Sequence, residues 1–240
     1  MNFAELFKNN PKYNKVEETD ADWAVWREDD KRCICVRFKG TTSFKDVIID
    51  LLFWTSRVKA FDGADWKVHY GFKKAYYSCR NLVLNKCYEL YQDGDSFLVY
   101  GHSLGGAMAL LAAEDIGWHF KTKVQCITWG APRVTTQKKG ITAINQYFTD
   151  NSFNFEFGSD LIPVIQFWFK RNPKATHIGA RFNLWKAIKD IFNQLHTYHC
   201  GYGDKNIYNN IGEKDGLLFC NRIYLNCCNR YYGSSKEISS

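Results

Sequence analysis

Apolar and polar residues alternate with a period of two, or form short unbroken apolar runs, in five segments of the chain. In the segment CICVRF, residues 33–38, successive side chains fall into two alternating sets, as they do on the two faces of a strand. A charged turn at residues 27–32 separates it from the preceding apolar segment. The segments predicted as strands are residues 23–26, 33–38, 97–100, 124–129 and 153–157.

Three other segments are typical of helices. Residues 72–92 place their apolar side chains on one side of a helix, with Lys74, Asn81 and other polar residues opposite. Residues 107–113 are strong helix formers, and residues 184–195 repeat the amphipathic pattern. Strands that alternate with helices predict an α/β fold with a mostly parallel sheet. In such sheets, sites lie beyond the carboxyl ends of the strands.

Length and composition are compatible with one domain. At 240 residues the chain is long for an average domain, but α/β folds reach this size as single units. No linker, repeat or low-complexity tract divides it, and hydrophobic residues make up 45%. We therefore expect one domain over residues 1–240, with a polar tail at residues 233–240.

Three features bear on the cellular location. The first residues lack a basic segment followed by an apolar one, so no secretory signal is predicted. The sequence contains no run of about 18 apolar residues, so no membrane-spanning helix is predicted. The odd number of cysteines, nine, favours reduced thiols over a disulfide framework. We expect a cytoplasmic protein, or one that is peripheral at intracellular membranes.

The net charge of +7 favours anionic partners. Its basic residues are scattered in ones and twos, however, and no nucleic-acid-binding motif accompanies them, so no nucleic-acid partner is expected. His196, His199 and Cys200 lie close together in sequence, but no second group has ligand spacing. Neither a metal nor a cofactor is predicted.

The sequence GHSLG, residues 101–105, fits the G-x-S-x-G nucleophile elbow. In that motif a strained turn between a strand and a helix lifts the serine hydroxyl off the end of a sheet. The pattern is short, but here it lies between a predicted strand and a predicted helix. Ser103 is therefore a candidate nucleophile, and an ordinary glycine turn with an idle serine is the alternative.

A serine nucleophile needs a base and an acid that orients the base. In the elbow arrangement these follow the serine in the order acid, then histidine. Asp160 directly follows a predicted strand, whereas Asp150 opens a turn, where an aspartate more often shapes the backbone. His177, His196 and His199 follow in the chain. His199 is favoured because it lies in a loop, with His196 and His177 as alternatives.

When a serine nucleophile attacks a carbonyl carbon, the negative oxygen of the tetrahedral intermediate needs preorganised N–H donors. One is expected at Leu104, the residue after the nucleophile. The other is expected in a loop after an earlier strand, and residues 36–42 supply such a loop.

Six short motifs, in this order, resemble those of the class 3 lipases, the family that contains fungal triacylglycerol lipases. They are FKGT at 38–41, VHYGF at 68–72, GHSLGG at 101–106, GAPRV at 130–134, DLIP at 160–163 and HCGY at 199–202. The resemblance extends over residues 36–202. Lys39 stands where the family usually has arginine, Thr135 where it usually has glycine, and the secretory signal of the fungal members is not seen.

The resemblance implies an α/β-hydrolase-type fold with a mostly parallel central sheet flanked by helices. It also implies a triad of Ser103, Asp160 and His199, and an oxyanion hole at Thr41 and Leu104. The expected function is a serine ester hydrolase that cleaves carboxylic esters of lipids, acylglycerols or phospholipids, in transient contact with a lipid surface. The alternatives are a catalytically idle lipid-binding or interaction module and a lidless soluble esterase. The family's lid is expected at residues 43–54, although a buried core segment is also compatible with that apolar run.

Overall fold

The structure, a computed structural model, describes residues 1–16, 19–40, 57–61, 64–158, 160–164, 168–178 and 198–208. Nine strands lie in this part of the chain: β1 Asn14–Val16, β2 Thr19–Glu28, β3 Cys33–Phe38, β4 Arg57–Lys59, β5 Lys67–His69, β6 Ser96–His102, β7 Val124–Trp129, β8 Phe153–Phe157 and β9 Ala175–Ile178. Its α-helices are α1 Phe3–Lys8, α2 Tyr70–Leu90, α3 Leu104–Phe120 and α4 Lys138–Asn145.

Seven of these strands form one sheet in the order β1-β2-β3-β6-β7-β8-β9. The five strands from β3 to β9 run parallel, and β1 and β2 are antiparallel at one edge. Strands β4 and β5 form a separate antiparallel pair. Because β6, β7 and β8 are parallel neighbours, the loops that follow them leave the sheet at the same edge.

Helices cover both faces of the sheet, as a parallel sheet requires. On one face, α2 and α3 pack against side chains such as Val36 and Val99. On the other, α1 and the turns at residues 201–208 pack against alternate side chains such as Leu98 and Trp129. Helix α3 has 13 buried residues out of 17, because its glycines, alanines and leucines let it lie directly on the strands.

The predicted strands are confirmed, and residues 33–38, 124–129 and 153–157 have the predicted bounds. The predicted helix 72–92 begins and ends two residues earlier, since Tyr70 follows β5 directly and the chain turns at Gly94, whose φ is 83°. The predicted helix 184–195 lies outside the described residues. Within the described residues, no helix combines the length and hydrophobicity needed to span a bilayer.

Candidate active site

Ser103 occupies a strained turn between β6 and α3. Its backbone has φ 56° and ψ −125°, a combination that residues with a Cβ rarely adopt. The Ser103 N–H donates to the Trp129 carbonyl at 2.9 Å, which ties the turn to the end of β7. Such backbone strain costs about 1–3 kcal/mol and is concentrated at functional sites. The side chain lies at the carboxyl edge of the sheet and is 3% exposed.

Close packing around the turn requires glycine. A Cβ on Gly105 would lie 2.4 Å from the Phe38 carbonyl oxygen, and one on Gly101 would lie 2.2 Å from the Gly105 carbonyl oxygen. These contacts bring the first turn of α3 against the ends of β3 and β6. The glycines of the G-x-S-x-G motif therefore hold the serine between helix and sheet.

Asp160 and His199 form a hydrogen-bonded pair at the same edge. His199 Nδ1 lies 2.9 Å from Asp160 Oδ2 and 3.1 Å from Oδ1, and the two residues are only 1–3% exposed. Because the carboxylate oxygens accept, Nδ1 carries the proton and Nε2 is left as the basic nitrogen. The pair thus has the tautomer that a general base requires.

Two further donors hold the Asp160 carboxylate. The Ile162 N–H donates to Oδ1 at 3.0 Å, and the Tyr202 hydroxyl donates to Oδ2 at 2.8 Å. Tyr202 in turn accepts from the Phe157 N–H at 2.9 Å. Burial, followed by the Asp160 charge, raises the pKa of Tyr202 well above its usual value. Tyr202 therefore remains a neutral donor to the carboxylate.

His102, the residue before the serine, also contacts the base. Its Nε2 donates to the His199 carbonyl oxygen at 2.7 Å, and the two ring centroids are 4.4 Å apart. Burial, followed by the charge of His199, lowers the pKa of His102 well below its usual value. His102 is therefore neutral, with its proton on Nε2.

The loop after β7 lies against this pair. Gly130 has φ 56°, and a Cβ there would lie 2.6 Å from Asp160 Oδ2 and 2.8 Å from His199 Nδ1. Asn172 Nδ2 donates to the Pro132 carbonyl at 3.0 Å. Arg133 Nε donates to the Pro163 carbonyl at 2.8 Å. The loop is thereby joined to the segment that carries Asp160.

Two of the remaining candidates from the sequence, His177 and Asp150, have exposed side chains. His177 lies exposed in β9, opposite Glu156, and Asp150 is exposed and paired with Lys174 at 3.7 Å. His196 and Thr41 lie outside the described residues, as does the expected lid at 43–54. Leu104 is the first residue of α3.

Gly40, the residue before Thr41, lies against the elbow. A Cβ on Gly40 would be 3.3 Å from the Ser103 Cβ and 2.6 Å from the His102 carbonyl oxygen. The loop predicted to carry an oxyanion donor therefore reaches the nucleophile. Among the described residues, no group of three or more histidine, cysteine, aspartate or glutamate side chains could hold a metal ion.

The Lipase (class 3) family model matches residues 35–170, more than half of the chain. The chain belongs to the class 3 lipase family. It is 38% identical over 104 residues to a lipase of Rhizopus niveus, a match that covers 41% of this chain and 25% of that protein. The chain thus spans about a quarter of that curated relative.

Solved structures of the family share the fold. The Rhizomucor miehei triacylglyceride lipase is 25% identical, with a TM-score of 0.59 over 70% of this chain and 65% of its own. A triacylglycerol lipase described as having a serine protease triad at its catalytic centre is also 25% identical, with a TM-score of 0.61 and the same coverage. The chain therefore has the α/β-hydrolase fold, with a mostly parallel central sheet flanked by helices.

His102, Tyr202, Gly130 and Asn172 were given no role by the sequence analysis. Tyr202 and Gly130 lie inside the motifs HCGY and GAPRV, so the motifs marked their positions. Their contacts join residues from distant parts of the chain, and nothing in a single sequence indicates such pairs.

Proposed function

We propose that this protein is a serine ester hydrolase that cleaves carboxylic esters of lipids through an acyl-enzyme on Ser103. The observation that carries the proposal is the buried Asp160–His199 pair, at the sheet edge that also bears the strained Ser103. A lipase whose catalytic centre is a serine protease triad has the same fold at a TM-score of 0.61, which supports the proposal.

In the proposed reaction, His199 Nε2 takes the proton of Ser103 Oγ as Oγ attacks the ester carbonyl carbon. The bond to the alcohol oxygen then breaks, and His199 returns the proton to the leaving alcohol. Water, activated by the same nitrogen, attacks the acyl-enzyme and releases the fatty acid. Asp160 holds the imidazole and stabilises its positive charge in both steps.

The oxyanion of both tetrahedral intermediates is proposed to bind the N–H groups of Leu104 and Thr41. Leu104 is at the first position of α3, where backbone N–H groups have no acceptor inside the helix and the helix dipole favours negative charge. The position of Gly40 beside the elbow supports a donor from the next residue, Thr41. One such donor is worth about 3–4 kcal/mol in a well-studied case.

We propose a lipid ester, an acylglycerol or a phospholipid, as the substrate. The solved relatives are named as triacylglyceride or triacylglycerol lipases, which favours an acylglycerol. The net charge of +7 favours transient contact with an anionic lipid surface. The reaction as proposed uses no metal and no cofactor, and a single domain over residues 1–240 is proposed to carry it.

We propose that the protein is cytoplasmic or peripheral at intracellular membranes. The cysteines of the described part, Cys33, Cys35, Cys79, Cys87, Cys126 and Cys200, are all free. Free thiols are compatible with a reducing, intracellular compartment. Fractionation of cells that express the tagged protein, with and without a salt wash, would separate a cytoplasmic from a peripheral membrane location.

The function is tested by ester hydrolysis with the wild type, Ser103→Ala and Ser96→Ala. Ser96 lies at the start of β6, the strand that ends directly before Ser103, and its hydroxyl donates to the Arg32 carbonyl, so its variant controls for the loss of a serine hydroxyl away from the site. We expect only Ser103→Ala to abolish hydrolysis of p-nitrophenyl esters and of emulsified acylglycerols. A folded Ser103→Ala variant that retains wild-type turnover would exclude the mechanism.

A second assay separates a lipase from a lidless soluble esterase. Activity on a short-chain ester is followed across the solubility limit of the substrate, and activity on vesicles is followed as anionic lipid and salt are varied. A lipase that works at a surface should gain activity above the limit, and its vesicle activity should fall with salt. Simple saturation without salt dependence would indicate the soluble esterase.

A further inference from the structure

The N-terminal helix α1 packs beneath the base of the proposed triad. It lies before residues 35–170, the part of the chain that the family model matches. Its end is fixed to the sheet, because the Arg37 guanidinium donates to the Leu6 carbonyl at 3.1 Å and the Phe7 carbonyl at 2.8 Å. Asn9 Nδ2 also donates to the Tyr100 hydroxyl at 2.9 Å. These bonds to β3 and β6 hold Phe7 in place.

Phe7 contacts the residues that surround the base. Its ring lies edge-on to His102, with centroids 5.3 Å apart and planes at 83°. It also lies 5.5 Å from Trp129 and 6.0 Å from Tyr202. His102 therefore contacts both Phe7 and His199, whose ring centroid lies 4.4 Å from its own.

His102 joins this packing to the base by a hydrogen bond. The His199 carbonyl accepts from His102 Nε2 at 2.7 Å, and the His199 imidazole lies against the His102 ring. Tyr202, which also packs on Phe7, donates to Asp160. Both partners of the acid–base pair are thus one residue removed from Phe7.

We propose that α1 is a positioning element for the base, which acts through Phe7 and His102 to fix the ring of His199. The proposal rests on the proposed function, in which His199 must meet both Ser103 and the leaving alcohol. A small shift of the imidazole is costly, since a displacement of about 1 Å in a catalytic geometry can reduce turnover about 100-fold. Helix α1 therefore contributes to turnover without touching the substrate.

The test compares Phe7→Leu with Phe3→Leu. Both side chains are half-buried in α1, but Phe3 packs on Phe153, Phe155 and Tyr208, away from His102. We expect Phe7→Leu to lower kcat about tenfold with KM unchanged, and Phe3→Leu to leave kcat unchanged at a comparable loss of stability. Equal losses of kcat in the two variants, or none in Phe7→Leu, would overturn the proposal.

A second pair of variants separates the ring of His102 from its donor. His102→Gln keeps an N–H that can reach the His199 carbonyl, and His102→Phe keeps the ring but leaves that carbonyl without the bond. We expect His102→Gln to retain about tenfold more kcat than His102→Phe. The opposite order would contradict a role for the hydrogen bond.

A readout independent of turnover keeps this inference distinct from the proposed function. The proton shared by His199 Nδ1 and Asp160 should give a low-field resonance in the proton NMR spectrum. Its position should change in Phe7→Leu and not in Phe3→Leu. An inactive wild type would contradict the proposed function alone, whereas an unchanged resonance in Phe7→Leu would overturn the role of α1.

Discussion

Replacing Ser103 by glycine should remove activity and stabilise the fold, whereas replacing it by alanine should remove activity only. Ser103 has φ 56° and ψ −125°, which costs a residue with a Cβ about 1–3 kcal/mol. Glycine avoids that cost but loses about 0.5–1 kcal/mol more conformational entropy on folding than alanine does. The net effect is about 1 kcal/mol in favour of Ser103→Gly over Ser103→Ala. For a chain of this length, that corresponds to a Tm higher by about 2–4 °C.

Differential scanning fluorimetry and urea unfolding of both variants measure this difference. Ser96→Gly and Ser96→Ala are the matched controls, because Ser96 lies in β6 and is not among the residues with positive φ. There the order should reverse, with glycine less stable than alanine. A Ser103→Gly variant no more stable than Ser103→Ala would show that the elbow stores no strain and would refute the reasoning.

Three further predictions follow from the described contacts. His199→Ala should reduce kcat by about 10⁶-fold, as loss of one member of such a unit does, while His177→Ala, on the exposed face of β9, should keep wild-type kcat in the same ester assay. Gly130→Ala should lower kcat about 100-fold and reduce Tm, because its Cβ would lie 2.6 Å from Asp160 Oδ2 at a φ of 56°; an active, equally stable variant would contradict this. Burial, followed by the neighbouring Asp115 charge, raises the pKa of Glu114 to about 8. The folded state then binds more protons than the unfolded state between the ordinary glutamate pKa and about pH 8, so stability falls as pH rises through that window. Glu114→Gln should flatten that fall in urea unfolding from pH 5 to 9, and an unchanged slope would count against it.

The fold was predictable where one physical signal dominated. Strands β3, β7 and β8 are short apolar or alternating segments between clear turns, and their bounds agree with the prediction. Elements with weak patterns were missed. Helix α1 has six residues and β9 has four, too few for a period to emerge, and both are held by contacts with distant segments.

The candidate site was predictable in part for a different reason. Sequence motifs and chain order identify Ser103, Asp160 and His199 as candidates. The mostly parallel sheet then brings the segments that follow its strands to one edge. The residues that hold the proposed triad in place could not be predicted in the same way. His102 precedes the serine, so the expected chain order of acid and then histidine gives it no role, yet its Nε2 donates to the carbonyl of His199, 97 positions later. Only the folded chain makes that contact.

The most direct test of Ser103 as the nucleophile is the site of covalent labelling by a fluorophosphonate. The probe reacts with a serine that an adjacent base activates, and its position is read by mass spectrometry of the digested protein. We expect one label per chain on Ser103, lost in His199→Ala and retained in Ser96→Ala. A label on another serine, or a folded wild type that takes up none, would contradict the proposed nucleophile.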